Sequence, residues 1–575
     1  MEGFLQTLIQ GRDAWVGGFL SVLRYGAPVL LAVLLWRCCK PLLTFRRQPE
    51  IWAWLKTPDG NKIPVTHWEN VIGRSPSCDI RVDSKSVSRN HSVLTRYDDG
   101  SWTITDIESQ NGTWVNGEKV TICPLTSGDV IQVGEAQMEL IPITHWQEIK
   151  QSRIREKAAS GWDSVLNLLL LTLFQCLACM VFLLTGKTEM AGYFLKGFGG
   201  LILTQWSLLI FYCIIKRASF EVETIAFFLS TMGMCAICTV NPGEAVKQTA
   251  AMILGVFTFL ILGWSLRDLE RAKKIRYLAV IAGVGFLMIT LLFGREYYGA
   301  KNWLIIGGVS LQPSELSKVC FVYAGASTMD RIMNKRNILL FIAYSVLICG
   351  LLALMNDFGT ALIFFCAFLV IAFMRSGSVG TVGLAVTALG FAGVLAIDIA
   401  PHALRRFSVW RHVWEDSLGM GYQQTRSLMC IASGGLLGLG AGRGALKRVF
   451  AADSDIAFAT ISEEWGLIVA VMMVACIVVL ALFALRSVLV ARSSFYTIGA
   501  CTAASILVIQ VILNALGLSG KPPAKLMMPG LPSSLNSSRM AEVSTLSKRC
   551  AKCIKITFRF KLYEPNLTFL QIGAV

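Results

Sequence analysis

Basic side chains are concentrated in one long segment of a chain that is otherwise poor in charge. The segment covers about residues 400–461 and contains seven cations: Arg405, Arg406, Arg411, Arg426, Arg443, Lys447 and Arg448. Guanidinium and ammonium groups bind phosphate and pyrophosphate through charge-assisted hydrogen bonds. The segment therefore predicts either a site for an anionic ligand or ordinary contact with lipid headgroups.

Two shorter strings place carboxylates at the ends of apolar runs. In QPSELSK, Pro313 suits the first turn of a helix, and Glu315 and Lys318 then share a helix face, which predicts an ion pair. Gln312 opens this string, and Asp357 precedes a second apolar run. Charged residues at the end of a membrane span usually have a structural or functional role, so these side chains are candidate functional residues.

The composition indicates a membrane protein. The chain has 575 residues, 54% of them hydrophobic and 16% charged, which argues against a purely soluble protein. The net charge of +16 fits lipid headgroups or pyrophosphate, and nucleic acid is not a partner that we predict. The CxxC pairs at 176/179 and 235/238 lie in apolar windows without nearby histidine, so we predict no metal site.

Apolar runs and basic clusters predict a polytopic α-helical membrane protein. A first run at residues 14–36 precedes Arg37 and Lys40, so the positive-inside rule places the amino terminus outside and the next segment in the cytoplasm. About eleven further runs have spanning length. They cover residues 162–185, 191–215, 222–240, 247–266, 277–293, 314–330, 338–354, 358–374, 379–399, 462–485 and 494–517. By the same parity, the loops at 294–313 and 400–461 lie outside.

Residues 51–145 have a different sequence pattern, in which short segments of alternating polar and apolar residues are separated by turn residues. This pattern predicts an all-β domain. Four strings follow one another there: Gly73-Arg74, Ser88-Arg89-Asn90-His91, Asn111-Gly112-Thr113 and Asn116-Gly117. This series resembles the forkhead-associated (FHA) domain, a β-sandwich that binds phosphothreonine.

The resemblance to FHA domains implies a role for each matching residue. Arg74 and Ser88 would contact the phosphate, with Arg89 as a second cation, and Asn111 would contact the peptide backbone. His91 would hold the loop in place. Gln110 stands where the family usually has Thr or Ser, and Asn-Gly pairs are also ordinary turn sequences, so a non-binding scaffold is the alternative.

The strings QPSELSK, DFGT, GYQQTRSL, SGGLLGLG and SDIAFATISEEWG follow in this order between about residues 230 and 515. The segment GYQQTRSLMCIASGGLLGLGAGRG is rich in glycine, which predicts close backbone packing or a re-entrant segment lining a cavity. The order resembles the SEDS family of FtsW, RodA and SpoVE proteins. It implies an inverting peptidoglycan glycosyltransferase of the bacterial cytoplasmic membrane that polymerises lipid II on the outer face. A class B penicillin-binding protein would be its partner, in division, elongation or sporulation.

By this resemblance Asp455 is the catalytic residue, and a carboxylate there suits a general base. The candidate substrate-binding residues are Lys301, Gln312, Glu315, Lys318, Asp357, Arg405, Arg406, Arg443 and Lys447. A divalent cation, Mg or Mn, at the lipid pyrophosphate is the candidate cofactor, and we assign it no protein ligand. Glu463 and Glu464 are predicted to start the next span, where they would favour the helix dipole. Asn302 and Asp453 depart from the family pattern and indicate a divergent branch.

The predicted organisation combines these segments. It comprises an N-terminal membrane anchor (1–48), the FHA domain (51–145), a basic linker (146–161), an extra transmembrane pair (162–220), the SEDS domain (221–517) and an atypical basic tail (518–575). The abrupt composition change in the tail is typical of a shifted reading frame, which is our hypothesis. If the tail is genuine instead, the predicted cavity lacks a wall and activity is doubtful. Two other functions stay open: a lipid II flippase, and an inactive membrane scaffold recruited through phosphothreonine.

Overall fold

The chain folds into a helical membrane domain with a β-sandwich inserted after the first helix. The structure is a computed structural model. It describes residues 2–44, 50–75, 78–97, 99–156, 161–215, 217, 219–266, 269–297, 300–306, 309–329, 335–376, 379–380, 382–388, 390, 413–419, 421–488 and 493–517. Arg405, Arg406, the tail 518–575 and most of the span predicted at 379–399 lie outside these residues.

The inserted domain consists of two packed β-sheets. Its strands are β1 (Ala53–Lys56), β2 (Lys62–Val65), β3 (Glu69–Gly73), β4 (Ile80–Arg81), β5 (Ser92–Arg96), β6 (Trp102–Asp106), β7 (Thr113–Val115), β8 (Glu118–Val120), β9 (Ile122–Leu125), β10 (Val130–Val133) and β11 (Ala136–Pro142). One sheet has the order β2-β1-β11-β10-β7-β8 and the other β4-β3-β5-β6-β9. Alternate side chains, among them Leu94, Ile104 and Ile131, fill the core between them. The predicted β-sandwich is confirmed.

The remaining chain is mainly helical. The helices are α1 (Glu2–Thr44), α2 (His145–Glu156), α3 (Gly161–Thr185), α4 (Ala191–Ile214), α5 (Glu221–Val240), α6 (Ala245–Leu266), α7 (Leu269–Phe293), α8 (Pro313–Met329), α9 (Lys335–Leu354), α10 (Phe358–Ser376), α11 (Tyr422–Gly434), α12 (Ala457–Glu464), α13 (Leu467–Val488) and α14 (Ser494–Gly517). The basic linker is thus partly helical, as α2.

The described residues contain nine helical segments long and apolar enough to cross a bilayer, one of them the N-terminal segment Gly17–Thr44. Two of the predicted spans do not meet this criterion. Helix α8 has 17 residues, about 25 Å of rise against about 30 Å of hydrocarbon, and carries charges at its start. The apolar part of α9, Leu339–Leu354, is similarly short. The helical membrane fold is confirmed, whereas the count of about eleven spans plus the anchor is not confirmed, since most of the run at 379–399 lies outside the described residues.

The membrane helices form two hydrophobic clusters. The first cluster joins α1, α3, α4, α5 and α13 around side chains such as Phe174 and Phe228. The second joins α7, α8, α9, α10 and α14 around Phe321 and Phe364. Helix α13 packs against α14, so the two clusters are in contact.

Helix α1 is a packed member of the first cluster. Its buried side chains recur every three or four residues on one face: Ala27, Leu31, Leu34, Leu35, Cys38 and Leu42. The Arg37 guanidinium pairs with the Asp163 carboxylate at 3.0 Å and donates to the Asn167 side chain at 2.9 Å. These contacts tie the end of α1 to the start of α3.

A polar network holds the pair α3 and α4 against α5 inside the first cluster. Gln175 and Gln205 exchange two side-chain hydrogen bonds of 3.0 and 2.8 Å. Gln175 also donates to Thr231 of α5 at 2.9 Å, and Gln205 donates to Thr172 at 3.0 Å. Because the network is buried, its amides depend on one another for hydrogen bonds.

The segment predicted as a loop at 294–313 contains a small antiparallel sheet. Its strands are β12 (Arg295–Tyr297), β13 (Ala300–Ile306) and β14 (Val309–Leu311). Strands β12 and β14 have only three residues each, and β13, with the sequence AKNWLII, does not alternate between polar and apolar residues. The backbone N–H of Lys301 donates to the Met355 carbonyl at 3.0 Å, which joins this sheet to the turn between α9 and α10.

The β-sandwich touches the membrane helices. The Ser494 hydroxyl, at the start of α14, donates to the Glu69 carboxylate of β3 at 2.9 Å. On another edge, Arg96 lies 4.6 Å from the Trp52 ring and pairs with Glu148 of α2 at 2.9 Å. The sandwich is therefore fastened to both the linker helix and α14.

Replacing Gln205 with Leu should lower the melting temperature of the purified protein in detergent. Three hydrogen bonds are lost, each worth about 0.6 kcal/mol in a membrane setting, so we expect about 2 kcal/mol of destabilisation. Ser207→Ala is the control, because that hydroxyl bonds only the Leu203 carbonyl of its own helix. Equal melting temperatures for the Gln205→Leu variant and the unmodified protein would contradict the role of the network.

Candidate functional sites

The glycine-rich loop between α11 and α12 is held by two buried glutamates. The Glu463 and Glu464 carboxylates accept hydrogen bonds of 2.9–3.0 Å from the backbone N–H groups of residues 444–446. Glu464 also accepts a 2.6 Å bond from the Thr239 hydroxyl of α5. The two residues are only 1% and 2% exposed, so these donors replace the water that the carboxylates lose.

The prediction that these glutamates begin a membrane span is wrong. They end α12, and the span begins at Leu467 as α13. Gly466, with φ of +90°, separates the two helices, because a left-handed residue stops the helical hydrogen-bond ladder. The carboxylates bind loop amides rather than the dipole of the following helix.

Backbone hydrogen bonds fasten the same loop to the end of α12. The N–H groups of Leu439 and Gly440 donate to the Glu463 and Glu464 carbonyls at 2.9 Å. Gly438 has φ of +80°, and an added Cβ would overlap the Glu464 carbonyl, so a larger residue would not fit. This is the close backbone packing that the glycine density predicts.

Asp455 lies exposed on the turn that precedes α12. The Gln423 amide donates to the Phe450 carbonyl at 2.9 Å, and the Thr460 hydroxyl donates to the Ala452 carbonyl at 2.8 Å. Buried side chains of this turn also pack against α5 and α11. The turn is therefore fixed on both sides while the Asp455 side chain remains accessible. Gln423 and Thr460 carry no sequence signal for this role, which depends on the folded turn.

Two predicted cations lie in the same region. Arg443 and Lys447 are exposed in the glutamate-held loop, and the Lys447 ammonium donates to the Gly442 carbonyl at 2.9 Å. Arg443 has no ion-pair partner within the described part of the chain. Asp455, Arg443 and Lys447 thus belong to one continuous structure built on the first helix cluster.

Five other predicted site residues, Lys301, Gln312, Glu315, Lys318 and Asp357, lie at the ends of helices of the second cluster or on the adjoining strand β13. The Lys318 ammonium, buried at 7% side-chain exposure, pairs with the Glu315 carboxylate at 2.7 Å, so the predicted ion pair is present. Asp357 accepts from the Thr360 N–H at 3.1 Å, which caps α10, and from the Asn302 amide of β13 at 3.2 Å. These bonds hold β13, and with it Lys301, beside the start of α10.

Gln312 precedes the first turn of α8, and its carbonyl accepts the Glu315 N–H at 3.1 Å. It therefore lies at the same helix end as the Glu315–Lys318 pair. The described residues contain no cluster of three or more His, Cys, Asp or Glu side chains suited to a metal ion. They form no protein cage for the candidate Mg or Mn, so no chemical step is assigned to a metal.

The loops of the β-sandwich bring the predicted phosphopeptide residues to one edge. The Ser88 hydroxyl accepts the Gln110 N–H at 3.1 Å, which leaves its own proton free to be donated. The Asn111 amide donates to the Ser86 carbonyl at 2.6 Å, which leaves its side-chain oxygen as an acceptor. Arg74 follows β3, and both Arg74 and Arg89 are exposed.

His91 joins the two loops that carry these residues. Its Nδ1 accepts the Ser88 N–H at 3.2 Å, and its Nε2 lies 3.1 Å from the Gly112 carbonyl, to which it donates. Only the neutral tautomer protonated at Nε2 satisfies both bonds. The fully buried ring therefore has the structural role expected of it.

Asp106 stabilises the loop after β6. Partial burial raises its pKa, but hydrogen bonds from the hydroxyls of Ser109 and Thr113, both 2.6 Å, and from the Ser109 N–H lower it further, so the net pKa lies below the ordinary value. A carboxylate with a lowered folded-state pKa stabilises the fold above the unfolded pKa of about 3.9. That stabilisation is lost as the pH falls through the folded value.

Replacing Glu464 with Leu should release the loop, because the Gly444 N–H loses its buried acceptor, at about 1–3 kcal/mol. The Thr239 hydroxyl keeps only the Cys235 carbonyl of its own helix, so the bond from Glu464 to α5 is lost. Glu464→Gln keeps one acceptor oxygen and should have a smaller effect. Faster trypsin cleavage within residues 442–448 and a lower melting temperature are the measurements. Glu189→Gln, on an exposed turn, is the control. An unchanged rate of cleavage in the Glu464→Leu variant would show that Glu464 does not hold the loop in place.

Replacing Asp106 with Asn should make the stability of the β-sandwich depend less on pH in the acidic range. In the unmodified chain, protection of residues 104–115 from hydrogen exchange should fall as the pH drops from about 5 to below 4, after correction for intrinsic rates. The variant should be less protected at neutral pH and change less over that window. Asp59→Asn, in the exposed β1–β2 turn, is the control. Identical pH profiles for the Asp106→Asn variant and the unmodified chain would exclude this role.

Comparison with known proteins identifies two families along the chain. Residues 222–538 match the family described as cell cycle protein, FtsW/RodA/SpoVE, and residues 70–134 match the FHA domain. The first match covers more than half of the chain.

Two named relatives and one solved structure illustrate these matches. The peptidoglycan glycosyltransferase RodA of Mycobacterium tuberculosis is 28% identical over 297 residues, which are 48% of this chain and 63% of the relative. The probable peptidoglycan glycosyltransferase FtsW of Escherichia coli O157:H7 is 26% identical, over 53% of this chain and 77% of the relative. A structure from a study of phosphothreonine-dependent FHA domain interactions is 28% identical over 16% of this chain and 98% of that chain, with a TM-score of 0.16.

The chain thus spans just under two thirds of the length of the RodA relatives that it matches. The match of 222–538 begins at the second residue of α5 and contains the helices from there to α14, whereas α1, α3 and α4 precede its first residue. The β-sandwich at 53–142 contains the whole of the FHA match. The chain is therefore a member of the FtsW/RodA/SpoVE family of membrane proteins that carries an FHA domain.

Proposed function

We propose that the chain is a peptidoglycan glycosyltransferase that polymerises lipid II at the outer face of the bacterial cytoplasmic membrane. The observation that carries this proposal is the exposed Asp455 carboxylate. It lies on a turn that hydrogen bonds from Gln423 and Thr460 hold in place, inside the region that matches the family. Two cations, Arg443 and Lys447, lie in the adjoining loop. A class B penicillin-binding protein is the proposed partner in cell division or cell-shape control.

In the proposed reaction Asp455 acts as general base. Its carboxylate takes the proton from a sugar hydroxyl of one lipid II as that oxygen attacks the anomeric carbon of another. The bond from the anomeric carbon to the pyrophosphate breaks, the anomeric centre is inverted, and undecaprenyl pyrophosphate leaves with the bonding electrons. Arg443 and Lys447 stabilise the charge that develops on it.

In this proposal the polar residues Glu315, Lys318 and Asp357, on the second helix cluster, have a supporting role. The Glu315–Lys318 pair and the capping carboxylate of Asp357 fix the ends of α8 and α10. Lys301, on β13, forms no ion pair within the described residues and is available for the substrate pyrophosphate. A bound Mg or Mn would supply further positive charge at the same pyrophosphate.

The proposed orientation places the FHA domain in the cytoplasm and Asp455 outside. The basic residues that follow the first span and those between α13 and α14 favour the cytoplasmic side. The Glu69–Ser494 bond supports this assignment, because it joins the β-sandwich to the segment between α13 and α14. Arg74, the Ser88 hydroxyl and Arg89 would there bind the phosphate of a phosphothreonine protein, and Asn111 its backbone.

The test is glycan polymerisation from purified lipid II by the full chain, reconstituted in liposomes with its class B partner, with and without Mg²⁺. Asp455→Asn should lower the polymer yield by about 10²- to 10⁴-fold, the usual contribution of a general base. Asp453→Asn, two residues earlier on the same turn, is the matched control and should retain activity.

The other outcomes separate the competing functions. Equal polymer from the Asp455→Asn variant and the unmodified chain would contradict the assigned base. Transfer of lipid II between leaflets without polymer would support a flippase. No polymer and no transfer, together with Arg74-dependent binding of a phosphothreonine peptide, would support a membrane scaffold.

A further inference from the structure

A third exposed cation lies next to the residues proposed to bind phosphothreonine. Lys119 of β8 is exposed, and like Arg74 and Arg89 it forms no ion pair with a described residue. Lys119 is the cross-strand partner of Trp114 in the β7–β8 hairpin, so the two side chains emerge on the same face. The Trp114 indole N–H points to the Asn111 carbonyl at 3.4 Å.

The Lys119 side chain is placed by the glycine beside Asn111. Gly112 has φ of +75°, and a Cβ built there would overlap the aliphatic stem of Lys119 and lie 3.0 Å from its ammonium nitrogen. The stem thus occupies the space that any other residue at position 112 would fill. The packing holds a positive charge directly beside the residue proposed to contact the peptide backbone.

The loop between this charge and the phosphate position is short enough for one extended peptide to reach both. The Ser88 hydroxyl bonds the N–H of Gln110, and Lys119 packs on Gly112, two residues further along the same loop. Two residues span at most about 7 Å of chain. Side chains on one face of an extended peptide are also about 7 Å apart, and they alternate with side chains on the other face.

We infer that Lys119 forms a second recognition site that selects a Glu or Asp two positions away from the phosphothreonine. The inference rests on the proposed binding of phosphothreonine at Arg74 and Ser88. The phosphate occupies the Arg74 end of the edge, the peptide backbone crosses Asn111, and the carboxylate pairs with the Lys119 ammonium. The partner is therefore a protein whose phosphorylated threonine lies in an acidic sequence.

The test uses the full chain in detergent and fluorescently labelled phosphothreonine peptides with an alanine background. A single Glu is placed one, two or three positions before or after the phosphothreonine, and binding is followed by anisotropy. Glu at one of the two positions that are two residues away should tighten binding by about threefold, as expected for an exposed ion pair. Glu at the adjacent positions should have no such effect, and the gain should shrink at high salt.

Lys119→Met is the informative variant, because it keeps an unbranched stem over Gly112 and removes only the charge. It should bind the alanine peptide normally and lose the preference for Glu. Lys119→Glu should reverse the preference, so that a peptide with Lys at the same position binds more tightly than one with Glu. A preference for Glu that persists unchanged in Lys119→Met would overturn the inference.

The proposed phosphothreonine site is tested separately in the same experiment. Arg74→Gln should abolish binding of every phosphopeptide, whereas unphosphorylated peptides should not bind the unmodified chain. If no phosphopeptide binds the unmodified chain, the proposed site and the inference are both wrong. If binding depends on Arg74 but is equal for all positions of Glu, the phosphothreonine site stands and the role of Lys119 is wrong.

Discussion

The proposed active site depends on two adjacent carboxylates buried where water cannot solvate them. Burying a charge is costly unless hydrogen bonds replace the lost water, and Glu463 and Glu464 obtain those bonds from amides of the glycine-rich loop and from Thr239. The loop and the helix end are therefore mutually dependent, since neither satisfies its polar groups alone. Because Thr239 belongs to α5, the arrangement also fixes the loop relative to the first helix cluster.

In the FHA domain, buried polar groups likewise hold the loops at the edge that we propose to bind phosphothreonine. A buried neutral His91 and the Asp106 carboxylate accept or donate bonds between loops that would otherwise move independently. The β-sandwich also contacts the start of α14, a helix of the second cluster that packs against α8. The edge of the β-sandwich that we propose to bind phosphothreonine is thus connected to the Glu315–Lys318 pair through the packed helices α14 and α8.

Sequence patterns predicted the parts of this protein that have a strong period or a specific motif. The β-sandwich followed from alternating strands and the FHA strings, and the long apolar helices from their length. The sequence does not predict strands β12 to β14, because β12 and β14 have three residues each and β13, AKNWLII, does not alternate between polar and apolar residues. The role of Glu464 was misjudged because its partner Thr239 is 225 residues away in the chain. A contact of that range is set by tertiary packing and leaves no local signal.

The helices outside the family match determine where the FHA domain can act. The domain is inserted between α1 and α3, and the Arg37–Asp163 pair ties the end of one helix to the start of the other. The buried Gln175–Gln205 network then holds α3 and α4 against α5. Helix α2, of 12 residues or about 18 Å, is paired with the sandwich through Arg96. Because both connections are short and both neighbouring helices are packed, the FHA domain stays close to the membrane helices, and the phosphothreonine protein that we propose as its partner has to reach it there.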